Sequence, residues 1–324
     1  MKYRKLGKAG PEISVIGFGT WAIGGEGWAY SWGKQDDAVS LNSIHAAIDV
    51  GVNFIDTAAA YGYGHAEEVV GKALKGKRSQ ALIATKCGLR WDDKGNLTRN
   101  GSYESVLQEA EQSLRRLDTD YIDLYQMHWP DNVTCAPIEE TMRAMDKLVQ
   151  DGKIRYVGVS NFPVELISDA LKVRHIDSLQ PPYSILNRNV ENEQLPYCIQ
   201  QGIGVVAYSP LASGLLSGNY TYDTRFNQQD WRSTSPSHSG EGYKQNIAVV
   251  EQLKDVAQEL HLTVAELALA YVLAHPAITS TLIGVRKPDH ILNAQKAADI
   301  ELDESVLAAI REIAQKAVPN QNDI

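Results

Sequence analysis

The sequence predicts an α/β protein, a (β/α)8 TIM barrel with an N-terminal β-hairpin and extra C-terminal helices. Three observations favour this fold. Short apolar strands alternate with helical segments of about a dozen residues, the alternation produces eight strands, and 324 residues suffice for the whole ring. An open dinucleotide-binding sheet is disfavoured because residues 17–22 read Gly-Phe-Gly-Thr-Trp-Ala and lack the last glycine of the Gly-x-Gly-x-x-Gly turn. We therefore expect residues 1–324 to form a single barrel domain.

The predicted elements follow in a regular order. Residues 2–14 contain short alternating runs separated by glycines and a proline, which is typical of a hairpin covering one end of the barrel. The strands are predicted at 15–20, 54–55, 81–85, 122–127, 154–159, 178–180, 204–208 and 281–283. The helices are predicted at 36–50, 66–74, 103–117, 138–150, 164–172, 190–201, 243–260, 264–274, 289–297 and 303–316. Residues 211–242 break the alternation because they are long, polar and aperiodic, as lids or binding loops are.

Composition and charge exclude several classes of partner. The chain is 44% hydrophobic and 22% charged, which is typical of a globular protein with a large core. A formal net charge of -9 disfavours binding to nucleic acid or to an anionic membrane. No signal peptide follows Met1, no run approaches the roughly 18 apolar residues of a membrane span, and Cys87, Cys135 and Cys198 form no metal or redox motif. We expect a cytoplasmic protein without these partners and without a metal, and nothing in the sequence predicts its oligomeric state.

Titratable side chains follow three consecutive predicted strands. Asp56 ends the second strand, with Tyr61 in the loop behind it; Lys86 ends the third strand, and His128 follows the fourth. We expect the four to converge, because active groups of such barrels lie at the carboxyl ends of the strands and neighbouring strands are about 4.8 Å apart. A phenol with a pKa of about 10 needs a positive neighbour to act as an acid near neutrality. We therefore expect Lys86 to lower the pKa of Tyr61, Asp56 to keep Lys86 charged, and His128 to bind the substrate oxygen.

Each of these residues also has a purely structural interpretation. Asp56 could be a helix cap or an ion-pair partner and Lys86 a solvated strand end. His128 could be a satisfied turn histidine and Tyr61 a packing residue. Four such groups at consecutive strand ends nevertheless favour a catalytic site over coincidence.

Several segments together resemble the aldo-keto reductase superfamily. They are Asp56-Thr57-Ala58-Ala59-Ala60-Tyr61-Gly62, the strand end at Lys86, Gln126-Met127-His128-Trp129-Pro130 and Gly158-Val159-Ser160-Asn161-Phe162. The resemblance covers nearly the whole chain and is strongest to the bacterial branch of general stress reductases and sugar- or inositol-related oxidoreductases. It implies NADPH-dependent reduction of aldehydes or ketones, or reversible oxidation of sugar or polyol hydroxyls. Tyr61 would be the general acid, helped by Lys86, Asp56 and His128.

The resemblance also implies where NADPH or NADP+ binds. The nicotinamide amide would be held by Ser160, Asn161 and Gln180, and its ring would stack on Tyr208. Residues 209–218 would fold over the pyrophosphate. Arg286 would bind the 2′-phosphate and favour NADPH over NADH, since it opens a loop that leads into a helix, where anions bind. The cofactor-binding set is Gly19, Thr20, Trp21, Ser160, Asn161, Gln180, Tyr208, Ser209, Leu211, Ser213, Gly214, Gly284, Arg286, His290 and Asn293.

The chain departs from the family pattern at a few cofactor positions. Asn219 stands where lysine is usual, His290 where glutamine is usual, and Asn293-Ala294 where a glutamate-asparagine pair is usual. Adenine contacts through His290 and Asn293 are therefore less firmly implied than the rest of the set.

The pocket for a small carbonyl, sugar or polyol substrate is predicted from aromatic residues. Trp21 and Trp129 lie beside strand ends and are the expected walls. Other aromatics could line the pocket or pack at the surface: Trp28, Trp32, Tyr220, Tyr222 and Trp231.

Two other functions stay open. One is an NADPH-binding regulatory partner with little turnover, as in the related channel-associated subunits, and the other is a barrel lyase or isomerase without nicotinamide.

Overall fold

The computed structural model describes residues 1–28, 30–227 and 230–319. An antiparallel hairpin of β1 (Tyr3–Lys5) and β2 (Glu12–Ser14) precedes the barrel, whose first three strands are β3 (Ile16–Gly19), β4 (Phe54–Asp56) and β5 (Leu82–Cys87). A second hairpin follows, with β6 (Leu89–Trp91) and β7 (Leu97–Arg99). The remaining barrel strands are β8 (Ile122–Met127), β9 (Ile154–Ser160), β10 (Ser178–Gln180), β11 (Gly204–Ala207) and β12 (Ile278–Gly284). The eight strands are parallel and close into a ring in the order of the chain.

Helices alternate with these strands. They are α1 (Asp37–Asp49), α2 (His65–Leu74), α3 (Tyr103–Arg116), α4 (Ile138–Gln150), α5 (Val164–Leu171), α6 (Gln194–Gln201), α7 (Gly240–Glu259), α8 (Val264–Ala274), α9 (Pro288–Ala294) and α10 (Glu304–Ile313). Their buried residues recur at helical spacing: α3 buries Val106, Ala110 and Leu114, which are four residues apart. This apolar stripe holds α3 against the barrel.

The N-terminal hairpin closes the lower end of the barrel. Leu6 and Ile13 are fully buried and belong to one apolar cluster with five barrel residues, namely Phe54, Ala84, Leu124, Val206 and Leu282. Side chains alternate between the two faces of a strand, so residues two positions further along these strands also point inward, at the upper end. That upper end, the carboxyl end of the strands, is where the predicted site residues lie.

The structure confirms the predicted barrel, the N-terminal hairpin and the extra helices at the C-terminal end. The hairpin of β6 and β7 was not predicted, because its two strands have only three residues each. The predicted helix at 190–201 begins instead at Gln194, after a 3₁₀ turn over Asn189–Glu191.

The predicted long loop is more ordered than expected. It contains 3₁₀ turns at Ala212–Ser217 and Trp231–Ser233, and its last residues already belong to α7. Residues 228 and 229 of this loop lie outside the described part of the chain. Within the described residues, no single helix is both long and apolar enough to cross a membrane; α7 and α8 meet that test only as a pair, bent by 88°.

Candidate active site

The Lys86 ammonium is the centre of the site. Its side chain is fully enclosed, and Nζ donates to Asp56 Oδ1 at 2.6 Å and to the Thr57 carbonyl at 2.9 Å. The third contact is with Tyr61 Oη at 3.3 Å. An ammonium has three donors, so all of them are engaged. Asp56, Tyr61 and Lys86 therefore lie together, as the sequence predicts.

The second oxygen of Asp56 is held by two glutamines inside the barrel. Gln180 Nε2 donates to Asp56 Oδ2 at 2.8 Å and Gln126 Nε2 does so at 3.3 Å. Gln180 Nε2 also lies 3.4 Å from Gln126 Oε1. Gln180, which the resemblance assigned to the nicotinamide amide, is thus turned toward the carboxylate here. Gln126 was missed, although it lies two residues beyond the inward-facing Leu124 and strand alternation could have found it.

Tyr61 lies in an aromatic enclosure. Its ring centroid is 5.3 Å from that of Trp21, 6.1 Å from that of Trp28 and 5.8 Å from that of His128. Gly62 permits this contact: its φ is +62°, and a Cβ there would lie 2.0 Å from the Gly24 carbonyl oxygen in the loop that carries the two tryptophans. Trp28, left open between pocket and surface, is therefore a buried wall of the site.

Burial determines the protonation states of the site. It raises the pKa of Tyr61 well above its usual value, and the Asp56 charge raises it further. Burial also lowers the pKa of Lys86, against the opposing effect of Asp56. The pKa of His128 is lowered well below its usual value by burial, then by the charges of Lys86 and Arg99. At neutral pH the phenol is thus protonated and the imidazole neutral.

The expectation that Lys86 lowers the pKa of Tyr61 is wrong for this structure. The phenol is removed from water, which disfavours phenolate. The positive charge of Lys86 is moreover largely offset by Asp56, whose carboxylate lies 2.6 Å from Nζ. Lys86 therefore acts on Tyr61 through the 3.3 Å hydrogen bond rather than through a depressed resting pKa.

Polar groups beside His128 outline the next part of the cleft. Asn161 has a left-handed backbone, with φ of +62°, and its Nδ2 donates to the His128 carbonyl oxygen and to Ser160 Oγ, both at 3.1 Å. Tyr208 Oη donates to Asn161 Oδ1 at 2.7 Å, and Ser160 Oγ donates to the Gln180 carbonyl oxygen at 2.8 Å. Three residues assigned to the nicotinamide, Ser160, Asn161 and Tyr208, are thus joined in one network.

The segment after β11 contains several residues with a left-handed backbone. Ser209, Ala212, Ser213 and Gly214 have φ values of +54°, +46°, +53° and +101°. Two backbone N–H groups of this turn are used inside it, because Ala212 donates to the Ser209 carbonyl oxygen at 2.9 Å and Gly214 to the Leu211 carbonyl oxygen at 3.0 Å. Leu211 lies within this turn, which matches the segment assigned to the pyrophosphate.

The ends of β3 and β12 lie side by side. Gly19 pairs with Gly284, and a Cβ on Gly284 would meet no atom within 4 Å, so there is open space at this edge. The next residue after Gly19 is Thr20, whose buried hydroxyl has no hydrogen-bond partner among the described residues. Trp21 follows and reaches Tyr61. The open space beside Gly284 and the unpartnered Thr20 hydroxyl leave room for a ligand at these strand ends.

Arg286 is held by the loop between β3 and α1. Its guanidinium donates to Gln35 Oε1 at 3.0 Å, to the Trp32 carbonyl oxygen at 3.1 Å and to the Lys34 carbonyl oxygen. Three of its five N–H groups are thus occupied by the protein. His290 and Asn293, the two adenine-contact positions that depart from the family pattern, also have partners within the protein. His290 Nδ1 accepts from the Arg286 backbone N–H at 3.4 Å, and Asn293 Oδ1 accepts from Lys296 Nζ at 3.3 Å.

Aromatics of the long loop are distributed between packing and surface. Tyr220 Oη accepts from Arg232 at 2.9 Å, and the same guanidinium lies 4.7 Å from the Trp32 ring. Tyr222 is 50% exposed, whereas the Trp231 indole nitrogen is buried. Trp32 and Tyr220 thus join the long loop to the β3–α1 loop instead of lining the space around Tyr61.

The chain is similar to known proteins along nearly its whole length. Residues 15–315 match the model of the aldo/keto reductase family. The chain is 41% identical to aldo-keto reductase YhdN of Bacillus subtilis over 294 residues, covering 90% of this chain and 87% of that protein. It is 37% identical to the NADH-specific methylglyoxal reductase of Escherichia coli over 328 residues, covering 97% and 99%.

A solved structure shows the same similarity in three dimensions. Glycerol dehydrogenase AKR11B4 from Gluconobacter oxydans superposes with a TM-score of 0.89 at 38% identity, covering 99% of this chain and 97% of that one. These matches confirm the resemblance, including its bacterial branch, and identify an oxidoreductase of carbonyl or alcohol groups with a nicotinamide cofactor. The chain belongs to the aldo/keto reductase family.

Proposed function

We propose that the protein reduces small aldehydes and ketones with NADPH, and oxidises sugar or polyol hydroxyls in the reverse direction, with Tyr61 as general acid. The observation that carries the proposal is the enclosed contact of Tyr61 Oη with Lys86 Nζ at 3.3 Å, with Asp56 2.6 Å behind it. An ionisable cluster of this kind, buried at the carboxyl end of a barrel, is typical of a catalytic site.

A bound nicotinamide would supply the hydride that attacks the carbonyl carbon. Tyr61 would donate its proton to the carbonyl oxygen, so that C=O becomes CH–OH once the hydride has been added, and solvent would return a proton to Tyr61. The raised pKa keeps that proton on the phenol until negative charge develops on the oxygen. Lys86 then stabilises the phenolate as it forms, and neutral His128 can donate a hydrogen bond to the same oxygen.

We propose NADPH as the preferred cofactor because Arg286 is the cation beside the open edge of β12. Within the part of the chain that the structure describes, two guanidinium N–H groups of Arg286 remain beyond the three given to residues 32–35. The left-handed turn at 212–214 would lie against the pyrophosphate, as the family resemblance implies. The relative in Escherichia coli is NADH-specific, so the preference must be measured with both cofactors.

Two further expectations remain proposals. We propose that residues 1–324 act as one barrel domain, which the family match over 15–315 supports. We propose a cytoplasmic location, which suits three free cysteines, two of them buried.

Tyr61→Phe tests the assignment of the acid. With methylglyoxal or glyceraldehyde, we expect kcat/KM to fall by about 10²- to 10⁴-fold, the usual contribution of general acid catalysis. NADPH binding, followed by cofactor fluorescence, should change little. Tyr63→Phe is the matched control, because its hydroxyl donates to the Gly95 carbonyl oxygen in the neighbouring hairpin at 2.9 Å. Wild-type turnover in Tyr61→Phe would refute the role of Tyr61, and NADPH binding without turnover of any carbonyl by the wild type would instead favour a regulatory partner.

A further inference from the structure

A buried carboxylate outside the catalytic cluster lies in the first turn of α2. Glu67 is fully buried, and its Oε2 accepts from Nε of Arg116, the last residue of α3, at 2.6 Å. Its other oxygen, Oε1, accepts from Thr85 Oγ1 at 2.6 Å. Burying a carboxylate is costly unless a cation and hydrogen bonds compensate it, and both oxygens here have such partners. Glu67 therefore joins α2 to the end of α3 and to β5.

Thr85 directly precedes Lys86 on β5. Side chains of consecutive strand residues point to opposite faces, so Lys86 extends into the barrel while Thr85 extends toward the surrounding helices. Thr85 is fully buried, and its hydroxyl donates to Glu67. The hydrogen bond from Thr85 thus holds the stretch of backbone that carries the Lys86 ammonium.

The loop that carries Tyr61 leads directly into α2. The Tyr61 carbonyl oxygen accepts from the Ala66 backbone N–H at 3.2 Å, and Glu67 is the next residue. The side chain of Arg116 also lies against this loop, because a Cβ on Gly64, whose φ is +100°, would be 2.5 Å from Arg116 Cδ. The loop is therefore held in place by the ion pair of Glu67 and Arg116.

We infer that Glu67 is a positioning residue that sets the contact between Tyr61 Oη and Lys86 Nζ from outside the barrel. The inference rests on the proposed function, in which Tyr61 gives up a proton beside Lys86. The two atoms are 3.3 Å apart, longer than the usual length of about 2.9 Å, so a small shift of β5 against the loop weakens the contact. The charge of Glu67 acts in the same direction: burial lowers the pKa of Lys86, and the charges of Asp56 and Glu67 oppose that effect.

Thr85→Val tests the inference, because it removes the hydroxyl and keeps both the side-chain volume and the ion pair behind it. We expect the single-turnover rate with saturating methylglyoxal to fall about 10-fold, less than for losing a donor to Tyr61 outright. KM for methylglyoxal and Kd for NADPH should stay within about 2-fold of the wild-type values, since the change is confined to the acid and its cation. Thr85→Ser restores the hydroxyl and should recover most of the rate.

A double variant separates positioning from general support of the fold. In Tyr61→Phe the Oη atom is absent, so adding Thr85→Val should change the remaining single-turnover rate by less than about 2-fold. A merely structural loss would lower the rate equally in both backgrounds. Ser280→Ala is the control for a lost buried hydroxyl, because Ser280 Oγ donates to the Ser14 carbonyl oxygen at 2.8 Å, at the lower end of the barrel. Its rate should equal that of the wild type.

Glu67→Met removes the acceptor itself and should lower the rate at least as much as Thr85→Val. It also leaves the Arg116 guanidinium without its carboxylate, which is strongly destabilising for a buried pair. Thr85→Val, which keeps that pair, is therefore the decisive variant.

Three results would overturn the inference: a wild-type rate in Thr85→Val, no recovery in Thr85→Ser, or an equal fall on adding Thr85→Val to the wild type and to Tyr61→Phe. The proposed function survives each of them as long as Tyr61→Phe is slow. Wild-type turnover by Tyr61→Phe instead refutes the proposed function, and the inference fails with it.

Discussion

Lys86→Met removes the charge at the centre of the site while keeping most of the side-chain volume. The side chains of Lys86 and Asp56 are 0% and 3% exposed, and their ion pair is 2.6 Å long. The substitution leaves a carboxylate out of contact with water and without its cation. Among the described residues, only the amides of Gln180 and Gln126, at 2.8 and 3.3 Å, still donate to it.

The expected loss follows from this geometry. Removing one partner of a buried ion pair costs about 3–5 kcal/mol, because the remaining charge is uncompensated. The lower end applies here, since two amides still donate to the second carboxylate oxygen, so we expect the free energy of unfolding to fall by about 3 kcal/mol. In Asp56→Asn/Lys86→Met no charge is left, and the double variant should be more stable than Lys86→Met alone.

Lys86→Met should also slow the chemical step. The phenolate of Tyr61 loses the donor that lay 3.3 Å from Oη. Loss of one such donor typically lowers kcat by about 10²- to 10³-fold. NADPH binding should persist, because the Lys86 ammonium is fully engaged by Asp56, Thr57 and Tyr61.

Urea unfolding, followed by fluorescence and circular dichroism together, measures the free energy of unfolding. Single-turnover oxidation of NADPH, followed by absorbance, measures the rate of the chemical step. The reasoning is refuted if Lys86→Met is within about 0.5 kcal/mol of the wild type, or if adding Asp56→Asn lowers stability further.

Two other predictions concern groups outside the central cluster. Gln35→Ala removes one acceptor of the Arg286 guanidinium, so the NADPH-to-NADH ratio of kcat/KM should rise about 2- to 10-fold. Arg286→Ala is the control and should lower this ratio. If Gln35→Ala lowers the ratio instead, Gln35 orients Arg286 for the phosphate. Burial raises the pKa of Glu109 from 4.5 to about 7. Between these pH values the folded state keeps the Glu109 proton that the unfolded state releases. The free energy of unfolding should therefore fall by about 3 kcal/mol as pH rises from 4.5 to 7. Glu109→Gln should remove that slope in urea unfolding between pH 5 and 8, whereas Glu104→Gln, an exposed residue of the same helix, should not.

Strand alternation explains what could be predicted of the site. Once eight strands are recognised, a residue ending a strand must lie at the upper rim, which is why Asp56, Lys86 and His128 were identified together. Gln126 obeys the same alternation as Lys86, its partner in the register of β5 and β8. It was overlooked because the search was for titratable groups, and an uncharged amide that holds a carboxylate escapes such a search.

The remaining features depend on packing between distant segments. Trp28 reaches Tyr61 only because the loop after β3 approaches Gly62 closely, and no periodicity in that loop predicts the approach. The charge of Arg99, which helps to lower the pKa of His128, comes from the short hairpin of β6 and β7 that was not predicted. The direction of the Tyr61 pKa shift depends on burial, which residue spacing does not reveal.

Asp56 has two opposite effects on Tyr61. Its charge raises the pKa of the phenol, which by itself makes the proton harder to give up. The same charge opposes the loss of a proton from Lys86, whose pKa burial would otherwise lower further. The geometry limits the first effect, because one oxygen of Asp56 faces Lys86 and the other is held by Gln180 and Gln126. The glutamine pair therefore does more than fill the barrel: it directs the carboxylate to Lys86 and leaves Tyr61 in contact with the cation rather than with the anion.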